Sequence, residues 1–357
     1  MCGIAGYVSF HKRDLKPVLT RLNEALKHRG PDDIGYWYSE DGCVGLGHRR
    51  LSIIDLSSAG KQPMVSSSGR YVTAFNGEIY NFLDMRKELE NSGHCFRGHS
   101  DTEVMVEAIE EWGIEDSVKK FNGMFAAAVW DNKKQLLWVF RDRLGVKPLY
   151  YLWNDGVFYF SSEMTKPFAK IGRKNIDREA LACYLRYNYI PAPGTIYKDV
   201  FKLFPGQLGS ITRKSAAEHK FENLSDYWNM LEEIEHLVRS RDDSMEMEDT
   251  TDMLDAALER SVRQRMISDV PLGAFLSGGI DSSLVVAHMQ KASSMPVNTF
   301  TIGFDEDSRD ESAHAGRVAR YLGTRHTELR VTERDALEVI PQLPKMYGEP
   351  FADSSQI

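Results

Sequence analysis

A cysteine stands at position 2, directly behind the initiator Met1 and ahead of Gly3-Ile4-Ala5-Gly6. A small second residue permits removal of the methionine, and Cys2 then carries a thiol nucleophile and a free α-amine on one residue. An α-amine titrates at about 7.7–8.0 and a thiol at about 8.5, so proton transfer between them is nearly balanced at neutral pH. Downstream come Arg50-Leu51-Ser52, then Asn76-Gly77-Glu78, then Ser100-Asp101. Cleaving an amino-acid side-chain amide needs a cation for the α-carboxylate, anions for the α-ammonium and donors for the oxyanion of a tetrahedral intermediate. Arg50, Glu78 with Asp101, and Asn76 with the Gly77 amide have the right types for those roles. Singly, each also suits a surface ion pair or a turn, and only their joint order points to this chemistry.

A second constellation lies at 272–283, where the chain reads Leu-Gly-Ala-Phe-Leu-Ser-Gly-Gly-Ile-Asp-Ser-Ser. An apolar run enters Ser277-Gly278-Gly279, and a helix is expected from near Asp281. Two glycines let the backbone fold closely around a phosphate, and the helix start offers free amides and a positive dipole end. Ser277, Ser282 and Ser283 add hydroxyl donors, and Asp281 can hold a Mg²⁺ against phosphate oxygens. No Gly-Lys-Ser/Thr follows, which argues against a P-loop NTPase.

The elements that must position these residues differ along the chain. A helix is expected over 17–27, strands over 44–54 and 70–75, and helices over 81–92 and 102–112, each of the last two ended by a glycine. Hairpins fit 124–141 and 149–162, the second around Asn154-Asp155-Gly156. The segment 213–252 is charge-rich, contains Arg239-Ser240-Arg241-Asp242-Asp243, and reads as a solvated helix or mobile linker. From 253 the pattern turns α/β. A helix leads into the run 270–276, and strands at 297–303 and 325–331 alternate with helices at 310–322 and 333–346. Such alternation implies a parallel sheet with binding at the strands' carboxyl ends.

At 357 residues the chain can form two domains, and its net charge of −8 gives no footprint for nucleic acid or an anionic membrane. Cys2, Cys43, Cys95 and Cys183 form no CxxC pair, which argues against a zinc site or a disulfide framework. No run approaches the ~18 apolar residues of a membrane span, and no signal peptide is evident. The expected location is the cytoplasm.

The strings MCGIAGYV, HRGPDD (28–33), GHRRLSIIDLS (47–57), FNGEIYN (75–81) and SDTEV (100–104) resemble class II glutamine amidotransferases. RDRLGVKPLYY (141–151) and FSSEM (160–164) narrow the resemblance to the asparagine synthetase family, and SGGIDSS resembles the PP-loop of ATP pyrophosphatases. The resemblance implies an α+β glutaminase domain over 2–212, an αββα Ntn-hydrolase sandwich of antiparallel sheets. A charged linker over 213–252 and a partial α/β PP-loop domain over 253–357 would follow. It also implies that Cys2 is the nucleophile, that Arg50 binds the glutamine carboxylate and that Asp101 and Glu78 hold its amine. Asn76 and Gly77 would form the oxyanion hole. ATP would meet Leu276, Ser277, Gly278, Gly279, Asp281, Ser282, Ile302 and Gly303, with Mg²⁺ at Asp281, and Glu349–Ser355 would lie near the acceptor pocket.

The implied reaction is glutamine-dependent amidation of an aspartyl-adenylate. The partners are then the small molecules glutamine, ATP and aspartate or another carboxylate, with a homodimer left open. His28, His48 and His99 are expected to be structural, and Asp142, Lys147 and Glu163 to shape an internal or interdomain surface and not to take part in the chemistry. A second glycine- and acid-rich loop (SGEGxDE-like) and a later lysine of the family do not occur before Ile357, so the parallel sheet is expected to be incomplete. Two alternatives remain at this point: amidation of another carboxylate such as a sugar acid, and a glutaminase-only or silent binding partner.

Overall fold

A computed structural model describes residues 1–171, 175–240, 246–304 and 310–353. Arg241, Asp242 and Asp243 of the charged run, and Ser354 and Ser355 of the last segment, lie outside the described residues. The chain divides into two compact units, one from Met1 to His236 with the segment that begins at Pro344, the other from Leu237 to Leu343.

The first unit starts with β1 (Gly3–Ser9), α1 (Lys16–Ala25), β2 (Asp33–Tyr38), β3 (Val44–Arg50) and β4 (Met64–Val65). It continues with β5 (Tyr71–Ile79), α2 (Phe82–Asn91), α3 (Asp101–Trp112), α4 (Ile114–Lys120), β6 (Gly123–Asp131) and β7 (Leu136–Arg141). Then come β8 (Tyr150–Asn154), β9 (Val157–Ser161), α5 (Arg178–Tyr187), β10 (Phe201–Lys202) and β11 (Gln207–Ile211). It closes with α6 (Arg213–Ala217), β12 (Asn223–Asp226) and α7 (Met230–Arg239), whose last residues pass into the second unit.

Two antiparallel six-stranded sheets result, in the orders β10-β8-β9-β1-β3-β2 and β12-β11-β7-β6-β5-β4. Strand side chains alternate between faces, and β1 shows the consequence. Ile4 and Val8 join the core between the sheets, with Val72, Ala128, Trp130 and Val139 from the facing sheet. Ala5 and Tyr7 point the other way and pack with Leu19, Leu22 and Leu26 around α1. On the far side α3 packs against β5. The order of layers is therefore helix, sheet, sheet, helix, an αββα sandwich. Trp130, Phe158 and Phe160 are fully buried in its centre, each worth about 1.5–3 kcal/mol of apolar burial.

Several expectations change. The strand expected to 54 ends at Arg50, where the Leu51 backbone turns toward Cys2. The residues expected to open a linker at 213 are structured: Ala216 of α6 is buried in the core between the sheets, and β12 pairs with β11. Residues 213–226 thus belong to the sandwich, and pairing with a neighbouring strand, not local pattern, makes β12.

The second unit contains α8 (Met247–Gln264), β13 (Gly273–Phe275), α9 (Ile280–Ala292), β14 (Asn298–Phe304), α10 (Ser312–Leu322), β15 (Arg325–Val331) and α11 (Glu333–Val339). Its strands form a parallel sheet, β13-β14-β15. Leu276, Val286, Ala315 and Ala319 bury one face under α9 and α10, while Phe275, Phe300, Ile302, Phe304 and Leu329 are exposed. The capping box expected at Thr332 and Asp335 starts α11. The long helix expected to 346 is broken after Val339 by Pro341 and Pro344, which leave a 3-10 turn and the short α12 (Leu343–Met346). Among the described residues no helix is long and apolar enough to cross a membrane.

Candidate active site

A cavity of about 210 Å³ in the first unit is lined by Cys2, Arg50, Leu51, Gln62, Asn76, Gly77, Glu78, Asp101, Thr102 and Lys147, among others. Every residue expected at the first constellation is among them. β1, β3, β5 and α3 deliver these groups to one place from positions far apart in the chain.

Cys2 precedes β1. Its thiol sits at the Leu51 peptide, receiving the Leu51 N–H at 3.4 Å and lying 3.6 Å from the Leu51 carbonyl oxygen. The Cys2 carbonyl accepts from Arg29 Nε at 3.0 Å, and Arg29 in turn pairs with Glu163. Burial pushes the thiol up, while the Leu51 bond and the terminal amine oppose that rise. Burial moves the amine of Met1, which stands at the same cavity while Met1 is present, down. For the thiol, the shift favours the uncharged form.

Arg50, at the end of β3, is buried. Its guanidinium donates to the Ser57 carbonyl at 2.9 Å and to the Asp55 carbonyl, which fixes the fork at the cavity wall. Asn76 and Gly77 lie on β5, opposite Ala126 and Phe125 of β6. Asn76 is 1% exposed, and among the described residues neither polar atom of its amide has a hydrogen-bond partner. A buried amide left unpaired is costly and calls for an explanation. At Gly77 a Cβ would stand 2.2 Å from the Met124 carbonyl oxygen, so only glycine lets the strands meet here.

Asp101 opens α3, where Ser100 caps the helix by accepting from the Glu103 amide. Its carboxylate accepts the Ile79 amide at 2.9 Å. Burial, with Glu78 adding to it, pushes Asp101 up to about 7. Burial also raises Glu78, against the pull of Lys147 and the terminal amine.

Three further residues shape the site. Gln62 accepts the Phe75 amide at 2.7 Å and donates to Thr102 Oγ1 at 3.3 Å, tying β5 to α3. Asp142 accepts amides from Phe125, Leu144, Val146 and Lys147, so it organises the loop as an internal residue. Lys147, expected away from the chemistry, lines the cavity instead. His48 is buried with its Nε2 at 3.0 Å from the Phe75 carbonyl oxygen, and burial holds it down to about 4, hence neutral. His28 pairs with Glu163 at 2.8 Å, and His99 lies 3.6 Å from Asp55.

In the second unit, Leu276, Ser277 and Ile302 line an open cavity of about 340 Å³ with Phe275, Phe300, Thr301, Phe304 and Glu311. Gly278 has φ +83 and Gly279 caps α9, with Asp281 in its first turn. Ser277 Oγ lies 3.0 Å from Ser282 Oγ and accepts the Gly279 amide at 3.2 Å. The buried Ser283 hydroxyl has no partner among the described residues. Gly303 does not line this cavity; its α-carbon faces Ser312 of α10, because alternation along β14 turns it away from Ile302. The loop's hydroxyls and helix start suit a phosphate. Asp281 is the acidic side chain at the loop, and no group of three His, Cys, Asp or Glu able to hold a metal occurs among the described residues.

Glu349, expected near an acceptor pocket, packs within the first unit. It pairs with Lys202 and accepts the Ile196 amide at 3.3 Å.

A model of the glutamine amidotransferase domain matches residues 1–222, and one described as asparagine synthase matches 253–357. A putative glutamine-hydrolysing asparagine synthetase of Methanocaldococcus jannaschii is 37% identical, covering 99% of this chain and 70% of its own. The chain belongs to the glutamine-hydrolysing asparagine synthetase family. Asparagine synthetase 1 of Bacillus subtilis is 34% identical over all of this chain and 54% of its own. An amidase, chry2, of Gibberella zeae is 34% identical over 90% of this chain and 50% of its own. The chain thus spans 70% of the archaeal relative and about half of the other two. Among solved structures, the glutamine phosphoribosylpyrophosphate amidotransferase of B. subtilis is 15% identical, covers 92% of this chain and 65% of its own, and has a TM-score of 0.48.

Proposed function

We propose that this family member hydrolyses glutamine at Cys2 and that the ammonia amidates an ATP-activated aspartate. The observation that carries the first half is the unpaired, buried Asn76 amide facing a cavity it shares with Cys2. Once Met1 is removed, the Cys2 amine accepts the thiol proton and the sulfur attacks the side-chain amide carbon of glutamine. Asn76 N–H and the Gly77 amide donate to the oxyanion, Arg50 binds the α-carboxylate, and Asp101 with Glu78 binds the α-ammonium. Collapse returns the proton to the leaving nitrogen as ammonia and leaves a thioester. Water, deprotonated by the amine, then releases glutamate.

In the second half, Ser277, Gly278, Gly279, Ser282 and the start of α9 hold ATP phosphates, with Leu276 and Ile302 beside the nucleoside. Asp281 would hold Mg²⁺ together with phosphate oxygens; the ion would neutralise phosphate charge. Aspartate attack on the α-phosphorus gives an acyl-adenylate and pyrophosphate, and ammonia displaces AMP to give asparagine. Aspartate as acceptor rests on the relatives' names. Four free cysteines accord with a reducing cytoplasm.

The test is to supply glutamine, ATP, Mg²⁺ and aspartate and to quantify glutamate, asparagine and pyrophosphate separately. Glutamate that vanishes in Cys2→Ala supports the glutaminase; glutamate that persists in that variant overturns it. Asparagine and pyrophosphate in equal amounts support the second half.

A further inference from the structure

Lys147 is 6% exposed at the wall of the Cys2 cavity. Its backbone is fixed on both sides: the amide donates to Asp142 at 2.9 Å and the carbonyl accepts from Arg141 at 2.7 Å. Among the described residues its ammonium makes no hydrogen bond and no close ion pair. Burial of the side chain lowers its own proton affinity. Glu78 is the anion that bears on it most, and Arg29, Asp142 and Cys2 also lie within its field.

We propose that Lys147 is a positioning residue of the Cys2 site: its ammonium at the cavity wall lowers the proton affinity of the thiol–amine pair and so keeps the nucleophile ready at neutral pH. The inference rests on Cys2 being the nucleophile. The charged groups around that pair are Arg50 at the end of β3, Arg29 on the Cys2 carbonyl, Glu163 behind Arg29, Glu78 on β5, Asp101 on α3 and Lys147. Glu78 and Asp101 raise proton affinity. Arg50 also bears on the thiol, but its guanidinium is bound to the Ser57 and Asp55 carbonyls and is assigned to the substrate carboxylate, whereas Lys147 lines the same cavity and has Cys2 within its field. Thiol and amine interact, so the titration belongs to the pair.

The experiment uses the full chain with Met1 removed, as checked by intact mass. Iodoacetamide alkylation of Cys2 is followed by peptide mass between about pH 5 and pH 10. Lys147→Met is expected to move the midpoint up by about half a unit to one unit, and Glu78→Gln to move it down by a similar amount. Lys147→Arg, which keeps the charge, is expected to stay near the parent midpoint. A Lys147→Met curve that superimposes on the parent's would overturn the assignment, and Lys147→Gln, which also removes the charge, decides the matter if Lys147→Met fails to fold. Shifts of this kind in the variants, with no glutamate made by the parent, would leave the electrostatic assignment standing and sink the glutaminase reading.

Discussion

The Asp101 carboxylate accepts the Ile79 amide at 2.9 Å, which fastens the first turn of α3 to β5, the strand that carries Asn76 and Glu78. An acid proposed to anchor the substrate amine is thereby fixed relative to the oxyanion donors. The same bond leaves the carboxylate buried beside a second acid.

That burial has a signed consequence for stability. With its carboxyl raised to about 7 in the folded protein and about 3.9 when unfolded, Asp101 favours folding when protonated. Its contribution is complete below about pH 4 and is lost as pH rises to about 7. Melting curves of the glutamine-free protein are expected to lose ground to those of Asp101→Asn across that window. Glutamine KM is expected to fall over the same window as the carboxylate ionises, and Asp101→Asn to abolish that change.

Asn76→Ala removes no hydrogen bond within the described structure. Its melting temperature is expected to stay close to the parent's, while kcat for glutamate release falls by about 10²–10³, the usual loss for one oxyanion donor. A large loss of stability with little change in kcat would assign Asn76 to packing.

Gln62 joins the strand to the helix through Phe75 and Thr102. Gln62→Leu leaves the buried Phe75 amide unpaired, at a cost of about 1–3 kcal/mol. Denaturant unfolding measures that cost. In the same variant kcat/KM is expected to drop, because Asn76 and Asp101 are no longer held in register.

Gly278 carries φ +83, and a Cβ there would lie 2.7 Å from the Ala315 amide nitrogen. Gly278→Ala is expected to displace the loop from α10 and to weaken ATP binding at least tenfold, measured by calorimetry. Glutamate release without ATP is expected to be unchanged.

The hairpins were legible because local turns announce them, as Asn154-Asp155-Gly156 does between β8 and β9. The residues at the cavity were legible because they cluster in short strings. Other features depend on partners distant in sequence. β12 exists through pairing with β11, and its exposed Asn223-Leu224-Ser225-Asp226 has no alternation to read. Gln62 draws its meaning from Phe75 and Thr102. Lys147 was visible in its motif, but its direction is set by Asp142 and Arg141, which no periodicity encodes.

The most direct measurement is glutamate release from glutamine by the parent protein and by Cys2→Ala, after intact mass has shown that Met1 is absent. The account predicts steady release by the parent and none above background by the variant. Equal release from both, or none from the processed parent, would contradict it.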